Sequence, residues 1–522
     1  MKCPSKKELA DLQRRFRTDK KIAELLGVKS YLVTYWRRKK GILAYSSPKY
    51  AKGEVMEVWE HLGDDKLAGQ ALGISGNAFR YWRKKYGITD KPVHLKFEQI
   101  QLPLPGLDRL TGSDVRKSFL HKIIESRCDN SYGGADTYLI DPDRIYVGDF
   151  NQSLLELLKT NGIKGLKNPS KVFGLYPGNV VENGFRKEMS KLHDYGNLSF
   201  PTCGGHVFDA LSKGHILPSE LVISCDPAVI GAGAIGALGL QATECKLAEA
   251  LATGKANIQK FDVFQVVLLD HPPKYVHPLD IVMFLKSRKG LENMAEIAIE
   301  YSGDSIDHLD FERRFTLCYL SRIFDCISAC IPCDKKTEKF LRRKAVLKFH
   351  PIQSDPGHIY YGSLRQSVLE IELSIGILKN GNFVSEPLSS NLNRKVDTVI
   401  AGFYSGGMYK DIIEISAILN RKKVNPGIRM FIRPATQDIL LRILEEGVFK
   451  QLVMAGCSIL PPSPAFIDVG FPAIQPELGS VLVTDPSALP LFPEDYPHPI
   501  YLANHQIAGI SALNGCLSDP RA

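Results

Sequence analysis

Cys326, Cys330 and Cys333 stand in a C-x3-C-x2-C spacing, and thiolates spaced this way can hold an iron–sulfur cluster. Buried thiols without a metal are also common, so the spacing leaves both readings open. Residues 231–236 read Gly-Ala-Gly-Ala-Ile-Gly. That fits the glycine pattern of a dinucleotide site after a strand, with Glu249 in place of the ribose acid. Two cation clusters, Arg37-Arg38-Lys39-Lys40 and Arg83-Lys84-Lys85, each follow a Tyr-Trp pair. Cations gathered at one end of a helix suit phosphate groups. The basic runs Lys335-Lys336 and Arg342-Arg343-Lys344 read as solvated faces.

The two cation clusters are equivalent positions of an internal repeat with a period of 46 residues. DKKIAELLGVKSYLVTYWRRKKGI (19–42) aligns without a gap on DKLAGQALGISGNAFRYWRKKYGI (65–88). Each copy reads as a helix-turn-helix. Ala23 and Gly69 let a second helix cross closely, and Gly27 and Gly73 supply the positive φ of the turn. Ser30 and Ser75 are the expected N-caps of the second helices, and Trp36 and Trp82 are expected to point inward. DNA is the expected partner. Base contacts are assigned to Lys29, Ser30, Tyr31 and Thr34 in the first copy and to Asn77 and Arg80 in the second. Phosphate contacts are assigned to Arg37, Arg38, Arg83 and Lys84. A solvated basic helix pair, or RNA as the ligand, also fits. The expected units are 1–46 and 47–92, followed by a proline-bearing linker over 93–114.

The charge distribution agrees with this division. The 522 residues carry a net charge of +9. Residues 1–91 hold 21 Lys and Arg against 10 Asp and Glu, and the rest of the chain holds 45 against 47. The basic excess therefore belongs to the repeat, which points to a nucleic acid or another anionic surface. The N-terminus has no apolar core of a secretory signal, and no run of 18 apolar residues occurs, so no membrane partner is expected. Eleven cysteines without an export signal suggest reduced thiols and a cytoplasmic location.

From about residue 135, β-branched runs alternate with helical stretches. LVISCD (221–226), DVFQVVLLD (262–270) and VDTVIAG (396–402) predict strands. An Ala/Gly-rich segment after 226, HPLDIVMFLKSR (277–288), LENMAEIAIEYSG (291–303) and KDIIEISAILN (410–420) predict helices. The alternation predicts an α/β architecture with largely parallel sheets.

Six segments in order carry a resemblance. They are FPTCGGHVFDALSKGHILPSELVISCD running into PAVIGAGAIGALGLQATECKLAEALATGK (200–255), FTLCYLSRIFD (315–325), VDTVIAGFYSGGMYKDI (396–412), VNPGIRMFIRPATQ (424–437), AGCSILPP (455–462) and IYLANHQIAGISALNGCLSDPR (500–521). Over roughly residues 115–521 the chain resembles the aconitase and 3-isopropylmalate dehydratase large-subunit family. The resemblance implies aconitase-like α/β/α layers over 115–522, with subdomains near 115–270, 271–390 and 391–522, behind a small all-α region. It also reads the 231–236 glycines as close packing, not a cofactor loop.

The family's chemistry dehydrates and rehydrates hydroxy-acids on a [4Fe–4S] cluster held by three cysteines. In this chain those cysteine positions fall on Tyr404, Cys457 and Leu460. His206, Asp226 and Asp149 keep family identities. The family's Asp-His pair falls on Pro177 and Gly178, its substrate-wall Asn and Glu on Tyr319 and Ile323, and its arginine loop on TDPSALPLF (484–492). So many losses imply that the family mechanism is gone and that no cofactor is bound. Cys457 with Cys326, Cys330 and Cys333 is the alternative cluster set. The expected function is a DNA-binding transcription regulator. Its degenerate domain would sense a hydroxy-acid, held by Arg433 or Arg394, or mediate homo-oligomer assembly. The alternative is a hydro-lyase with altered iron–sulfur ligation.

Overall fold

The computed structural model describes residues 4–41, 75–88, 116–128, 136–147, 152–174, 207–462 and 479–522, apart from isolated positions within those spans, and scattered positions between 55 and 65. The chain divides into two units, Met1–Phe97 and Glu98–Ala522.

In the first unit, Ser5 and Glu8 close a reciprocal capping box, 2.8 and 3.2 Å, at the start of helix Lys6–Phe16. Helix Asp19–Leu26 is capped by Thr18 and ends at Gly27, whose φ of 61° is the left-handed value the turn requires. Helix Ser30–Lys39 follows. Ser30 is its first residue and not its cap; Lys29 holds the cap position and makes no side-chain cap bond. In the second copy Ser75 does cap helix Gly76–Lys85, accepting from the Ala78 N–H at 3.3 Å. The Gly73 turn and the 93–114 linker lie outside the described residues. Each copy has its own small core. Leu9, Ile22, Ala23 and Val33 pack with Trp36, and Val55, Trp59 and Phe79 pack with Trp82.

The second unit is built on three α/β layers. One sheet has four parallel strands in the order Val172–Gly174, Arg144–Val147, Leu221–Ser224, Leu238–Gln241. A second has the parallel order Gly362–Ser367, Asp262–Leu269, Ile297–Ser302, Ser328–Cys330. The third has seven strands in the order Asn382–Pro387, Ser374–Lys379, Ile500–Leu502, Val481–Val483, Thr398–Gly402, Arg429–Arg433, Ser458–Ile459. Its hairpin end is antiparallel and the rest parallel. Parallel sheets are covered on both faces, which is why Leu221–Ser224 and Thr398–Gly402 are buried along their whole length. A two-stranded antiparallel ribbon pairs Thr137–Ile140 with Ala256–Gln259.

Two sequence expectations change. Residues 291–303 do not form a helix. Ile297–Ser302 is a strand between two parallel neighbours, buried along four of its six residues, and this burial overrides the helical preference of the Ala, Glu and Met around it. The Ala/Gly-rich segment is a 3-10 helix, Pro227–Ile235, buried throughout. A Cβ on Gly231 would sit 2.3 Å from the Phe315 ring, and one on Gly233 1.8 Å from the Ala329 carbonyl oxygen. These glycines let the segment pass through the core, and a buried segment leaves no groove for a dinucleotide.

Candidate functional site

Three positions that the resemblance places in one catalytic site meet in the second unit. Asp226 follows strand Leu221–Ser224 and caps the 3-10 helix, its Oδ1 accepting from the Ala228 N–H at 2.8 Å. Tyr319 lies near the end of helix Phe311–Leu320. Tyr404 follows strand Thr398–Gly402, and its ring centroid is 5.3 Å from that of Tyr319. All three side chains are buried.

Two residues that the sequence did not single out complete the cluster. Arg322, from the 3-10 turn Ser321–Phe324, brings Nη1 to 3.3 Å from the Tyr319 hydroxyl. Asp485 comes from the segment that replaces the family's arginine loop. It accepts from Tyr319 Oη at 2.9 Å, Ser405 Oγ at 2.7 Å, Ser487 N at 2.7 Å and Ser487 Oγ at 2.6 Å, and also from the Ser405 N–H. The signal for Arg322 was its place one residue before Ile323, inside the substrate-wall segment. Asp485 had none beyond its segment.

The two buried carboxyls differ in their surroundings. Burial pushes Asp485 up, but five donors hold it in place. Asp226 has far less compensation. Burial raises its pKa to about 6, against the Ala228 N–H, the Tyr404 hydroxyl and Arg322, and its Oδ2 makes no hydrogen bond. A carboxyl that titrates near neutrality can both give and take a proton. For Arg322, burial works against the cation, but Tyr319 and Asp485 outweigh it and raise its pKa. No described carboxylate forms an ion pair with Arg322. A half-buried guanidinium beside a poised carboxyl can hold a carboxylate ligand and move a proton on it.

The remaining family positions are not brought together in this way. Asp149, Pro177, Gly178 and His206 lie outside the described residues. Arg433 is buried, donates to the Pro461 carbonyl at 3.3 Å and stacks on Phe403. Arg394 lies near Glu386. Cys457 packs on Met430, sulfur to sulfur 3.6 Å, and burial raises its pKa to about 12. The thiols of Cys326 and Cys330 donate to the carbonyls of Ser321 and Ala237 at 3.3 and 3.4 Å, and Cys333 lies 4.0 Å from the Asp334 carbonyl. Burial raises the pKa values of Cys330 and Cys333 to about 12 and pushes Cys326 up as well. These are protonated thiols in a packed wall; the 3-10 helix glycines touch the backbone of Ala329 and Cys333 directly.

Apart from this cluster, a cavity of about 450 Å³ opens among Phe208, Glu312, Phe340, Lys410 and Arg442. Its cations are already engaged. Lys410 pairs with Asp310, Arg314 with Asp334 and Arg442 with Glu446, and Lys336 donates to two carbonyls. Lys344 also lines it, with its ammonium over the Phe340 ring.

In the first unit, two assigned phosphate contacts are corrected. Arg37 is buried and bonded to Asp19 at 3.2 Å, and Arg83 is bonded to Asp65 at 2.8 Å with its guanidinium stacked over Trp59. These equivalent ion pairs hold each copy together, so neither arginine is free for DNA. Thr34 also donates to Asp19, at 2.8 Å. Arg80 pairs with Asp65 at 2.7 Å but keeps half its side chain exposed. Lys29, Ser30, Tyr31, Arg38, Asn77 and Lys84 are exposed.

Residues 193–356 match the aconitase family (aconitate hydratase). The 3-isopropylmalate dehydratase large subunit 1 of Methanopyrus kandleri is 23% identical over 414 residues, covering 78% of this chain and 99% of that one. The 3-isopropylmalate dehydratase large subunit of Campylobacter fetus is 29% identical over 315 residues, 59% of this chain and 74% of that one. The probable methanogen homoaconitase large subunit of Methanosarcina mazei is 28% identical over 311 residues, 59% and 78%. Among solved structures, the aconitase X (holo-form) of Thermococcus kodakaraensis superposes with a TM-score of 0.40 at 10% identity, covering 68% of this chain and 85% of that one.

The kinship with dehydratases corrects the expectation of a cofactor-free protein, because it points to the family's iron–sulfur cluster. The described residues do not form its ligand set. One family cysteine remains at the three positions, Cys457, packed on Met430, and the thiols of Cys326 and Cys330 are turned to backbone carbonyls. No helix among the described residues is long and apolar enough to cross a membrane. The run of shared segments, the α/β architecture and the matched relatives agree: the second unit is similar to the aconitase family, most directly over residues 193–356.

Proposed function

We propose that the Glu98–Ala522 unit binds a small hydroxy-acid anion at Arg322 and acts on it as a hydro-lyase of the aconitase type, with iron–sulfur ligation that differs from the family's three cysteines. The observation that carries this reading is Asp226, a family carboxyl kept beside an unpaired guanidinium and titrating near 6. Arg322 holds the ligand carboxylate, and Asp226 moves a proton to or from it. Neither the proton nor the carboxylate needs a residue outside this chain. The names of the relatives favour the isopropylmalate class of acids.

The test is turnover of 3-isopropylmalate and related hydroxy-acids, followed by the absorbance of the unsaturated acid, with iron and sulfide supplied. Arg322→Ala is expected to raise KM about 10- to 100-fold, the size of one lost charge-assisted contact. A wild-type protein that neither binds nor converts any such acid overturns the reading.

A second reading concerns the Met1–Phe97 unit alone. We infer that it binds DNA, because each copy leaves cations and aromatic side chains exposed on its last helix. Tyr31, Tyr35 and Tyr81 are more than half exposed, beside Arg38, Lys39, Lys84 and Lys85. Arg38→Ala with Lys84→Ala is expected to weaken binding on all sequences and lower the salt slope by about 2, one for each phosphate contact. Arg37→Ala should instead lower the melting temperature of the unit, since it leaves Asp19 without its main partner. A double variant that binds DNA with an unchanged salt slope removes this reading.

A further inference from the structure

His277, Asp411 and His505 meet in the interior of the second unit. His277 is the N-cap of helix Pro278–Lys286, Asp411 lies in helix Tyr409–Ile418, and His505 opens helix His505–Asn514. Each side chain is at least 95% buried. His277 Nε2 is 3.4 Å from Asp411 Oδ1, and His505 Nδ1 is 3.3 Å from the same oxygen. His277 Nε2, His505 Nδ1 and Asp411 Oδ2 make no hydrogen bond. Both histidine nitrogens face Asp411 Oδ1 beyond good hydrogen-bond length, and buried polar atoms left unpaired are costly unless something joins them.

We propose that these three side chains bind a divalent transition ion of the zinc class. Two imidazoles and a carboxylate are a ligand set that suits such an ion. With bonds of about 2.0 Å, tetrahedral ligands stand roughly 3.3 Å apart; each histidine nitrogen stands at about that distance from Asp411 Oδ1, and all three ligand atoms lie within 4.8 Å of one another. The outer shell is in place as well. His505 turns its other nitrogen, Nε2, to Glu414 Oε2 at 2.6 Å, and Glu414 is held by Arg313 at 2.8 Å. A ligand histidine that donates its second N–H to a carboxylate is fixed in tautomer and orientation. Asp280 accepts from the His277 N–H and from Asn504, each at 2.8 Å, and adds a second nearby carboxyl. A metal on His277 Nε2 places the remaining ring proton on Nδ1. The 3.3 Å contact from the Leu279 N–H is therefore the interaction that gives way. The ion would join the helix after strand Asp262–Leu269 to two helices of the seven-stranded layer, and so fix one sheet against another. The rival state is metal-free, with His505 hydrogen-bonded to Glu414 and in contact with Asp411.

Metal content of the full chain decides between them. The protein is stripped with a chelator, dialysed, titrated with Zn²⁺ or Co²⁺ and assayed for bound metal. Uptake of one equivalent is expected in the wild type and in Cys457→Ala. Its loss is expected in His277→Gln and His505→Gln, and zinc should raise the melting temperature of the wild type and of Cys457→Ala but not of the histidine variants. No uptake by folded wild type, or equal uptake by His277→Gln, overturns the site. If the histidine variants fail to fold, the cobalt spectrum of the wild type decides. Ligand-field bands without a thiolate charge-transfer band support it, and a thiolate band overturns it.

Discussion

Asp226→Asn is expected to abolish turnover and, at the same time, to stabilise the protein at pH 8. The folded pKa of about 6 stands above the ordinary aspartate value of 3.8. A raised carboxyl pKa means that the fold binds the proton more tightly than the unfolded chain. That contribution is complete below pH 4 and is lost as the pH rises through 6. At pH 8 the buried charge therefore costs about 3 kcal/mol. Asparagine keeps the oxygen that accepts from the Ala228 N–H and carries no charge. The variant should melt higher than wild type at pH 8, and the gain should shrink by pH 5 as wild-type Asp226 takes up its proton. Losing a positioned acid-base group should lower kcat about 10²- to 10⁴-fold. Calorimetry at the two pH values and the dehydration assay check both halves. A variant that is less stable at both pH values would mean that Asp226 serves only as a helix cap. Increased stability with intact turnover would remove its role in proton transfer.

Asp485→Ala should act in the opposite direction. Asp485 accepts from the side chains of Tyr319, Ser405 and Ser487 and from two backbone N–H groups. Removing the acceptor leaves these donors buried and unpaired, at an expected cost of about 3–5 kcal/mol. It also takes a negative charge away from Arg322. Unfolding in urea measures the loss, and a change below about 1 kcal/mol would show that the network carries no load. The two aspartates lie in one cluster, and yet their substitution shifts stability in opposite senses. One is saturated with donors and the other is kept short of them.

The parts of the fold that were legible in the sequence are those with a local cause. Leu221–Ser224 and Thr398–Gly402 are unbroken buried runs because parallel strands are covered on both faces. Gly27 announces the end of its helix. Ile297–Ser302 was misread because Ala, Glu and Met surround it, and only its two strand neighbours make it extended. The site shows the same division. Asp226, Tyr319 and Tyr404 were found by the order of the segments. Asp485 was not, because its partner Tyr319 is 166 residues away. Arg37 and Arg83 look like surface cations in a basic run, and only Asp19 and Asp65 draw them inward. The histidines at 277 and 505 belong to no local pattern.

The strand order of the seven-stranded sheet has a consequence for biosynthesis. Hairpin Ser374–Pro387 reaches the rest of its sheet only through Ile500–Leu502, which pairs in turn with Val481–Val483. A ribosome therefore delivers the hairpin and strands Thr398–Gly402 and Arg429–Arg433 before the two strands that must lie between them. Until about seventy more residues emerge, from Arg433 to Leu502, the nascent chain carries two sheet fragments with open edges. Such edges pair readily with other chains. The last-made segment completes the layer, so the yield of native protein depends on keeping those edges apart during synthesis.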